Sequence, residues 1–134
     1  MSVDGGSVEK TATMISAIIN QPTMTPKLLQ RPPFRFLHEV MFNIIAKTGF
    51  AKDSFDTEEK DCKAMCKVRG TKCWAVLQKL IKITGGALGI DIDVSPATVT
   101  AGKECAKTRQ FLQYFCIAAT SSKVRIARLH VGLH

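Results

Sequence analysis

The side chains of this sequence that are best suited to chemistry form a row of lysines on one predicted helix. Lys72, Lys79 and Lys82 share a face of that helix. The opposite face is an apolar stripe of Cys73, Val76, Leu77, Leu80, Ile81 and Thr84. Such a row can attract an acidic partner through long-range electrostatics. Any solvated helix also carries lysines opposite its apolar stripe, and the spacing alone leaves both interpretations open.

Catalysis has no comparable basis in the sequence. The spacing of His38, Asp91 and Ser95 does not set a nucleophile beside a base and an orienting group. The glycines within 85–89 match neither the dinucleotide pattern nor the Walker pattern. We therefore predict that the protein is not an enzyme and needs no cofactor.

The five cysteines predict neither a disulfide framework nor a metal site. They stand at positions 62, 66, 73, 105 and 116. Their number is odd, no CxxC pair occurs, and no histidine lies at ligand spacing from them. We expect free thiols, which mostly behave as small apolar side chains. His38 lies at the edge of an apolar stripe and is expected to be a packed, hydrogen-bonded histidine.

Length and charge narrow the class of protein. The chain has 134 residues, 46% of them hydrophobic and 22% charged, which suits one globular domain. Nineteen Lys and Arg against eleven Asp and Glu give a formal charge of +8, so we expect an acidic partner. Nucleic acid, an anionic membrane or the glutamate-rich tails of tubulin would each satisfy that expectation, and composition does not choose among them.

Other features argue against two of these partners. No nucleic-acid-binding signature is present and aromatic residues are only 7%, so we expect no nucleic acid as partner. No apolar stretch approaches the ~20 residues of a membrane span, and residues 2–10 lack the apolar core of a secretory signal. The sequence therefore predicts a cytoplasmic protein that does not bind membranes.

Helical periodicity recurs along the chain, and no alternating strand pattern appears. We predict an all-α fold with four main helices plus short ones. The predicted segments are 7–19, a short turn after Thr25-Pro26, 34–48, 57–84 with a break near Gly70, a short piece within 95–101, and 103–119. Gly85, Gly86 and Gly89 are expected to end the third long helix. Trp74 lies just off the core stripe and is expected to be a core or near-core residue.

Two stretches carry a family resemblance. Residues 28–39 read LLQRPPFRFLHE and are followed by Thr48-Gly49-Phe50. Residues 97–102 and 107–113 supply a second match in the same order. Both resemble the amino-terminal domain of the intraflagellar-transport subunit fifty-four family, also called the microtubule-interacting protein. The resemblance covers about residues 11–120, and the segment 53–70 with its cysteines departs from it.

The resemblance implies a calponin-homology fold whose activity is binding tubulin or microtubules. It implies further partners, namely other intraflagellar transport subunits bound through a coiled coil absent from this chain, and a kinesin motor. The implied location is the cilium or flagellum and its basal body. We divide the chain into a flexible N-terminus (1–6), a calponin-homology domain (7–120) and a basic C-terminal segment (121–134). The abrupt end predicts that the chain is part of a longer protein.

A surface of cations is the predicted tubulin-binding site. Its members are Lys72, Lys79, Lys82, Lys103, Lys107 and Arg109, with weaker contributions from Arg31 and Arg35. Exposed ion pairs contribute ~0.2 to 1 kcal/mol each, so we expect salt-sensitive binding in the micromolar range or weaker. The alternative is an adaptor that docks a motor or another transport subunit instead of tubulin. An exposed apolar groove would favour that alternative.

Overall fold

The computed structural model describes residues 3–67 and 71–121, without the side chains of residues 66, 67 and 71. The described chain is helical and contains no strand, which confirms the predicted all-α class. The helices are α1 (Val8–Ser16), α2 (Pro26–Gln30), α3 (Phe34–Thr48), α4 (Thr57–Lys60), α5 (Cys62–Lys67), α6 (Thr71–Leu88), α7 (Pro96–Thr100) and α8 (Cys105–Thr120). Of these, α1, α3, α6 and α8 are the long ones. A short 3-10 turn spans Lys52–Ser54.

Side-chain caps start several of the helices where the sequence predicts them. The Thr25 hydroxyl accepts a hydrogen bond from the Leu28 amide at 3.3 Å, and Pro26 takes the first position of α2. Ser95 and Pro96 repeat this arrangement at the start of α7. Each cap satisfies an amide that the helix itself leaves without a partner, which stabilises a helix start by ~1 kcal/mol.

The predicted helix 57–84 is divided in the structure. Asp56, and not Thr57, caps α4: its carboxylate accepts from the Glu59 amide at 2.7 Å, and Glu59 accepts from the Asp56 amide at 3.0 Å. The backbone of Asp61 then leaves the helical region. The Asp61 carboxylate accepts from the amides of residues 63 and 64, so α5 starts at once in a new direction. The break expected near Gly70 lies outside the described residues.

Of the three glycines predicted to end α6, Gly89 stands at its end, whereas Gly85 and Gly86 lie inside the helix, contrary to the prediction. The helix continues to Leu88, and Gly89 follows in a left-handed conformation with φ of 69°. A Cβ at position 85 would lie 2.7 Å from the carbonyl oxygen of Ile90. The glycine therefore allows the chain after the helix to fold back closely against it, and the Ile90 amide donates to the Gly85 carbonyl at 3.0 Å.

The core forms where α8 packs against α1, α3 and α6. The predicted stripes of α3, α6 and α8 supply most of its buried side chains, among them Leu37, Ile44, Leu77, Phe111 and Phe115. Fully burying such a side chain contributes about 1.5 to 3 kcal/mol. The amphipathic pattern therefore fixes which face of each long helix points inwards.

His38 is part of this packed interior, as expected. It is 1% exposed, and its Nε2 lies 2.7 Å from the Glu59 carbonyl oxygen, which joins α3 to α4. Its ring stacks on Phe42 with centroids 4.3 Å apart. Burial lowers the pKa of His38 from its usual 6.5, although the hydrogen bond to Glu59 opposes that shift. The environment favours the neutral imidazole.

Candidate interaction surface

Two of the predicted surface cations, Lys72 and Lys79, are paired with α4. Lys72 Nζ lies 2.7 Å from a Glu58 carboxylate oxygen, and this hydrogen bond raises the pKa of Lys72. Lys79 Nζ lies 2.8 Å from a Glu59 carboxylate oxygen and donates to the Ser54 carbonyl at 3.1 Å. The Lys79 ammonium also stands 5.0 Å from the centre of the Phe55 ring. The acids of α4 therefore offset much of the charge of this row.

Two other predicted cations also have carboxylate partners. Lys107 Nζ lies 2.8 Å from Asp93 and 3.2 Å from Glu104, and the hydrogen bond to Asp93 is the main reason that its pKa is raised. Arg35 Nε lies 3.5 Å from Glu39, one turn along α3, and both side chains are exposed. Such exposed pairs are weak, but each reduces the positive field that an approaching acidic partner would meet.

Arg109 has a role inside the fold. Its Nε donates to the Gly6 carbonyl at 2.5 Å, and its Nη1 donates to the carbonyls of Leu29 and Gln30 at 3.0 Å each. One guanidinium thereby ties the segment before α1 and the end of α2 to α8. The fork of donors on arginine suits this task, whereas a single lysine ammonium would not span it.

Arg31 and Lys103 both lie at the turn that joins α7 to α8, and both are exposed. Arg31 Nη2 lies 3.5 Å from the Ala101 carbonyl oxygen, and its guanidinium occupies the space where a Cβ at position 102 would stand. Gly102, with φ of 67°, is therefore required for this contact. Across residues 3–67 and 71–121, neither Arg31 nor Lys103 forms an ion pair. We call Arg31 and Lys103 the turn cations.

Trp74 is exposed, which makes the prediction of a core or near-core position wrong. Its side chain is 45% accessible, and its Nε1 donates to the Thr100 hydroxyl at 3.1 Å. The residue follows the buried Cys73 on α6, and the Nε1 edge of its indole ring meets α7 at Thr100. The position of Trp74 off the apolar stripe hints at exposure in the sequence. Whether another helix covers the side chain depends on the tertiary structure.

Lys82 lies in an open groove on the side of α6 that also carries Trp74. The groove has a volume of about 490 Å³ and is lined by Gln78, Lys82 and the segment 90–94 on its far side. Asp91 is in that segment, and Ile90 at the groove is 37% exposed. Lys82 forms no ion pair with any described residue.

A second groove lies between the carboxyl ends of α1 and α8. It has a volume of about 430 Å³, and its lining is mostly apolar: Met14, Ala17, Ile18, Cys116, Ile117, Thr120 and Ser121. Burial raises the pKa of Cys116 to about 12, so its thiol stays protonated. Among the described residues that line this groove, none is charged, in contrast to the surface around the turn cations.

The described residues give no sign of a metal centre or a membrane span. No group of three or more His, Cys, Asp or Glu side chains among them could hold a metal ion. None of the helices in the described ranges is both long and apolar enough to cross a membrane.

Comparison with known proteins identifies relatives of this chain. Residues 7–121 match the family described as the CH-like domain of the microtubule-binding protein MIP-T3. The chain is 31% identical to TRAF3-interacting protein 1 of Mus musculus over 128 residues, and 33% identical to the proteins of that name from Danio rerio over 127 residues and Rattus norvegicus over 129 residues. These alignments cover 92% to 93% of this chain but only 19% to 20% of each relative. The chain thus spans about a fifth of their length.

Proposed function

Because the chain belongs to the family of MIP-T3 CH-like domains, we propose that it binds the acidic surface of tubulin through the turn cations Arg31 and Lys103. The family description names a microtubule-binding protein, and the formal charge of +8 suits a partner rich in glutamate. The observation that carries the proposal is the position of two exposed cations at one turn, with no carboxylate paired to either in the described chain.

The unpaired state of these cations is the physical reason for preferring them. A cation that already has a carboxylate at 2.7 to 2.8 Å, as Lys72 and Lys107 do, presents a nearly neutral pair to a distant charge. An unpaired cation attracts over about a Debye length, ~8 Å at physiological salt. We therefore assign the main electrostatic contribution to the turn cations and Lys82. We assign little to the paired or structural cations, which are Lys72, Lys79, Lys107, Arg35 and Arg109.

We further propose a cellular role in intraflagellar transport. The domain would belong to a complex B subunit that works in the cilium or flagellum and at the basal body, where tubulin is a cargo. Other transport subunits and a kinesin motor are the expected partners of the longer protein. The support is the resemblance of residues 28–39 and 48–50 to the intraflagellar-transport subunit fifty-four family.

Co-sedimentation with microtubules tests the tubulin contact. The double variant Arg31→Glu, Lys103→Glu should bind at least roughly fourfold more weakly, because each reversal replaces an attraction of ~0.2 to 1 kcal/mol by a repulsion of similar size. The matched control Lys60→Glu, Lys63→Glu makes the same change of net charge at exposed lysines of α4 and α5 and should alter affinity about twofold at most. Removing the acidic tails of tubulin, or raising the salt, should weaken wild-type binding.

Two results would contradict the proposal. One is equal affinity for both double variants, which would leave only a non-specific effect of net charge. The other is full binding to tubulin without its acidic tails, which would exclude the electrostatic mechanism. Thermal melts of each variant would ensure that any loss of binding does not reflect unfolding.

A second candidate function, docking of a motor or another transport subunit, is favoured by the apolar groove between α1 and α8. Apolar side chains such as Ile18 and Ile117 line it and can contact a partner without any charge. In this case Ile117→Asp should abolish binding of the transport subunit and leave sedimentation with microtubules unchanged. The converse pattern, lost sedimentation with docking retained, would place the tubulin contact in this groove.

A further inference from the structure

We propose that Trp74 is the central anchor of the contact with tubulin, within a linear site that accepts an extended glutamate-rich segment. This inference rests on the proposed function and adds to it the residue that gives the electrostatic contact its specificity. The site consists of Trp74 in the middle, Lys82 at one end and the turn cations at the other. Charge attraction between exposed groups is not specific by itself, whereas an aromatic ring fixed in one orientation can select a binding register.

The hydrogen bond of the indole ring already fixes its orientation for such a contact. Its side chain is 45% accessible, and its N–H is used by the Thr100 hydroxyl at 3.1 Å. The Thr100 hydroxyl is in turn within 2.9 Å of the Pro96 carbonyl oxygen, to which it can donate. The ring is therefore oriented by α7 while part of its apolar surface faces water. Covering that surface is favourable, and little side-chain freedom remains to be lost on binding.

Cations lie further along α6 from the ring and at the turn after α7, the helix that holds the ring. Trp74, Gln78 and Lys82 follow each other at intervals of four residues, so they lie along one side of α6, and Lys82 is about 12 Å from Trp74 along the helix axis. At the end of α7, the Thr100 hydroxyl accepts from the indole, and the carbonyl of the next residue, Ala101, contacts Arg31. Lys103 comes two residues later. In the proposed site these groups follow one another as a cation, an aromatic ring and a pair of cations.

This arrangement selects the chemistry of the ligand. An extended peptide advances about 3.3 Å per residue, so glutamates roughly four residues apart would place one carboxylate at Lys82 while the stem of another covers the indole. The next carboxylates would reach Arg31 and Lys103. A single-stranded nucleic acid also carries negative charge and can stack on an aromatic ring. Asp91 also lines the groove beside Lys82, and its negative charge opposes a phosphate at every nucleotide more than glutamates separated by neutral residues, so we favour the peptide.

The chain contains a single tryptophan, so its fluorescence reports on this site alone. The first experiment titrates the 134-residue protein with a synthetic, tryptophan-free peptide of about ten residues that is rich in glutamate. We expect a saturable blue shift of the emission as the peptide covers the indole. The shift should be absent with the matching glutamine peptide, and it should need several-fold more peptide in the Lys82→Glu variant. A flat emission, or a shift produced only by an oligothymidine of similar charge, would overturn the peptide site.

The second experiment measures co-sedimentation of Trp74 variants with microtubules. Trp74→Ala should weaken binding about 5- to 20-fold, and Trp74→Phe about twofold to threefold, since the phenyl ring keeps part of the apolar contact. Thr100→Val should weaken binding as well, because it releases the indole without removing any charge. Thermal melts of all three should stay close to that of the wild type, since the affected side chains are exposed.

The outcomes separate this inference from the proposed function. If Trp74→Ala binds like the wild type while the double variant of the turn cations loses binding, the anchor is wrong and the electrostatic contact stands. If the wild type does not sediment with microtubules but the peptide still shifts the emission, the proposed function is wrong and the acidic-peptide site stands. Unchanged emission overturns the site in either case.

Discussion

Replacement of Arg109 by methionine tests most directly which cations stabilise the fold and which remain available for binding. Methionine preserves much of the length of the side chain and removes all three hydrogen bonds from the guanidinium to the carbonyls of Gly6, Leu29 and Gln30. The prediction is a large loss of stability with a small effect on tubulin binding. The sequence alone places Arg109 in the binding surface and predicts the reverse.

The magnitude follows from these contacts. A hydrogen bond from a charged donor contributes ~1.5 to 3 kcal/mol when it is well shielded. Arg109 is half-buried, so solvent reduces these values, and we expect a total loss of about 3 kcal/mol for the three bonds. For a domain of this size, about 4 °C of Tm corresponds to each kcal/mol, which gives a decrease of roughly 12 °C.

Thermal and urea denaturation of the wild type and of Arg109→Met would measure this loss of stability. Arg109→Lys should fall between wild type and Arg109→Met, because an ammonium can serve one or two carbonyls but lacks the planar fork. Lys103→Met is the matched control: it removes one positive charge from an exposed side chain and should change the free energy of unfolding by less than about 0.5 kcal/mol. A Tm for Arg109→Met within about 2 °C of the wild type, together with a loss of binding as large as that of Arg31→Glu, would refute the reasoning.

Two further perturbations test the interior. Burial favours neutral His38, so stability should decrease as the pH falls below about 6.5, where the unfolded chain takes up a proton that the folded chain resists. The decrease in Tm between pH 7.5 and 5.5 should be smaller in His38→Gln, and equal decreases would contradict this. Gly6 has φ of 91°, and a Cβ there would collide with the Ala106 carbonyl. Gly6→Ala should therefore cost about 2 kcal/mol or more in urea denaturation, whereas Gly5→Ala, which faces open space, should be nearly neutral.

Much of the fold could be predicted from local patterns. The apolar stripe of α3, its end at Gly49, and the Thr25-Pro26 and Ser95-Pro96 starts all depend on residues within a few positions of each other. Such signals persist because capping and helical periodicity need no distant partner. The sequence-based predictions failed where one residue can have two different structural roles. Gly85 could end a helix or admit a close neighbour, and only the path of the chain at Ile90 shows that it does the latter.

In the candidate site as well, some properties follow from the sequence of a single helix and others from contacts between helices. The sequence by itself determined that the domain is helical, that it carries an excess of positive charge and that Lys72, Lys79 and Lys82 face away from the core. The tertiary structure decided which cations keep that charge available, because ion pairing depends on whether α4 approaches α6 and whether Asp93 approaches α8. It also decided that Trp74 is exposed. Residues separated by 26 positions, such as Trp74 and Thr100, meet only through the packing of α7 on α6, and no local pattern encodes that contact.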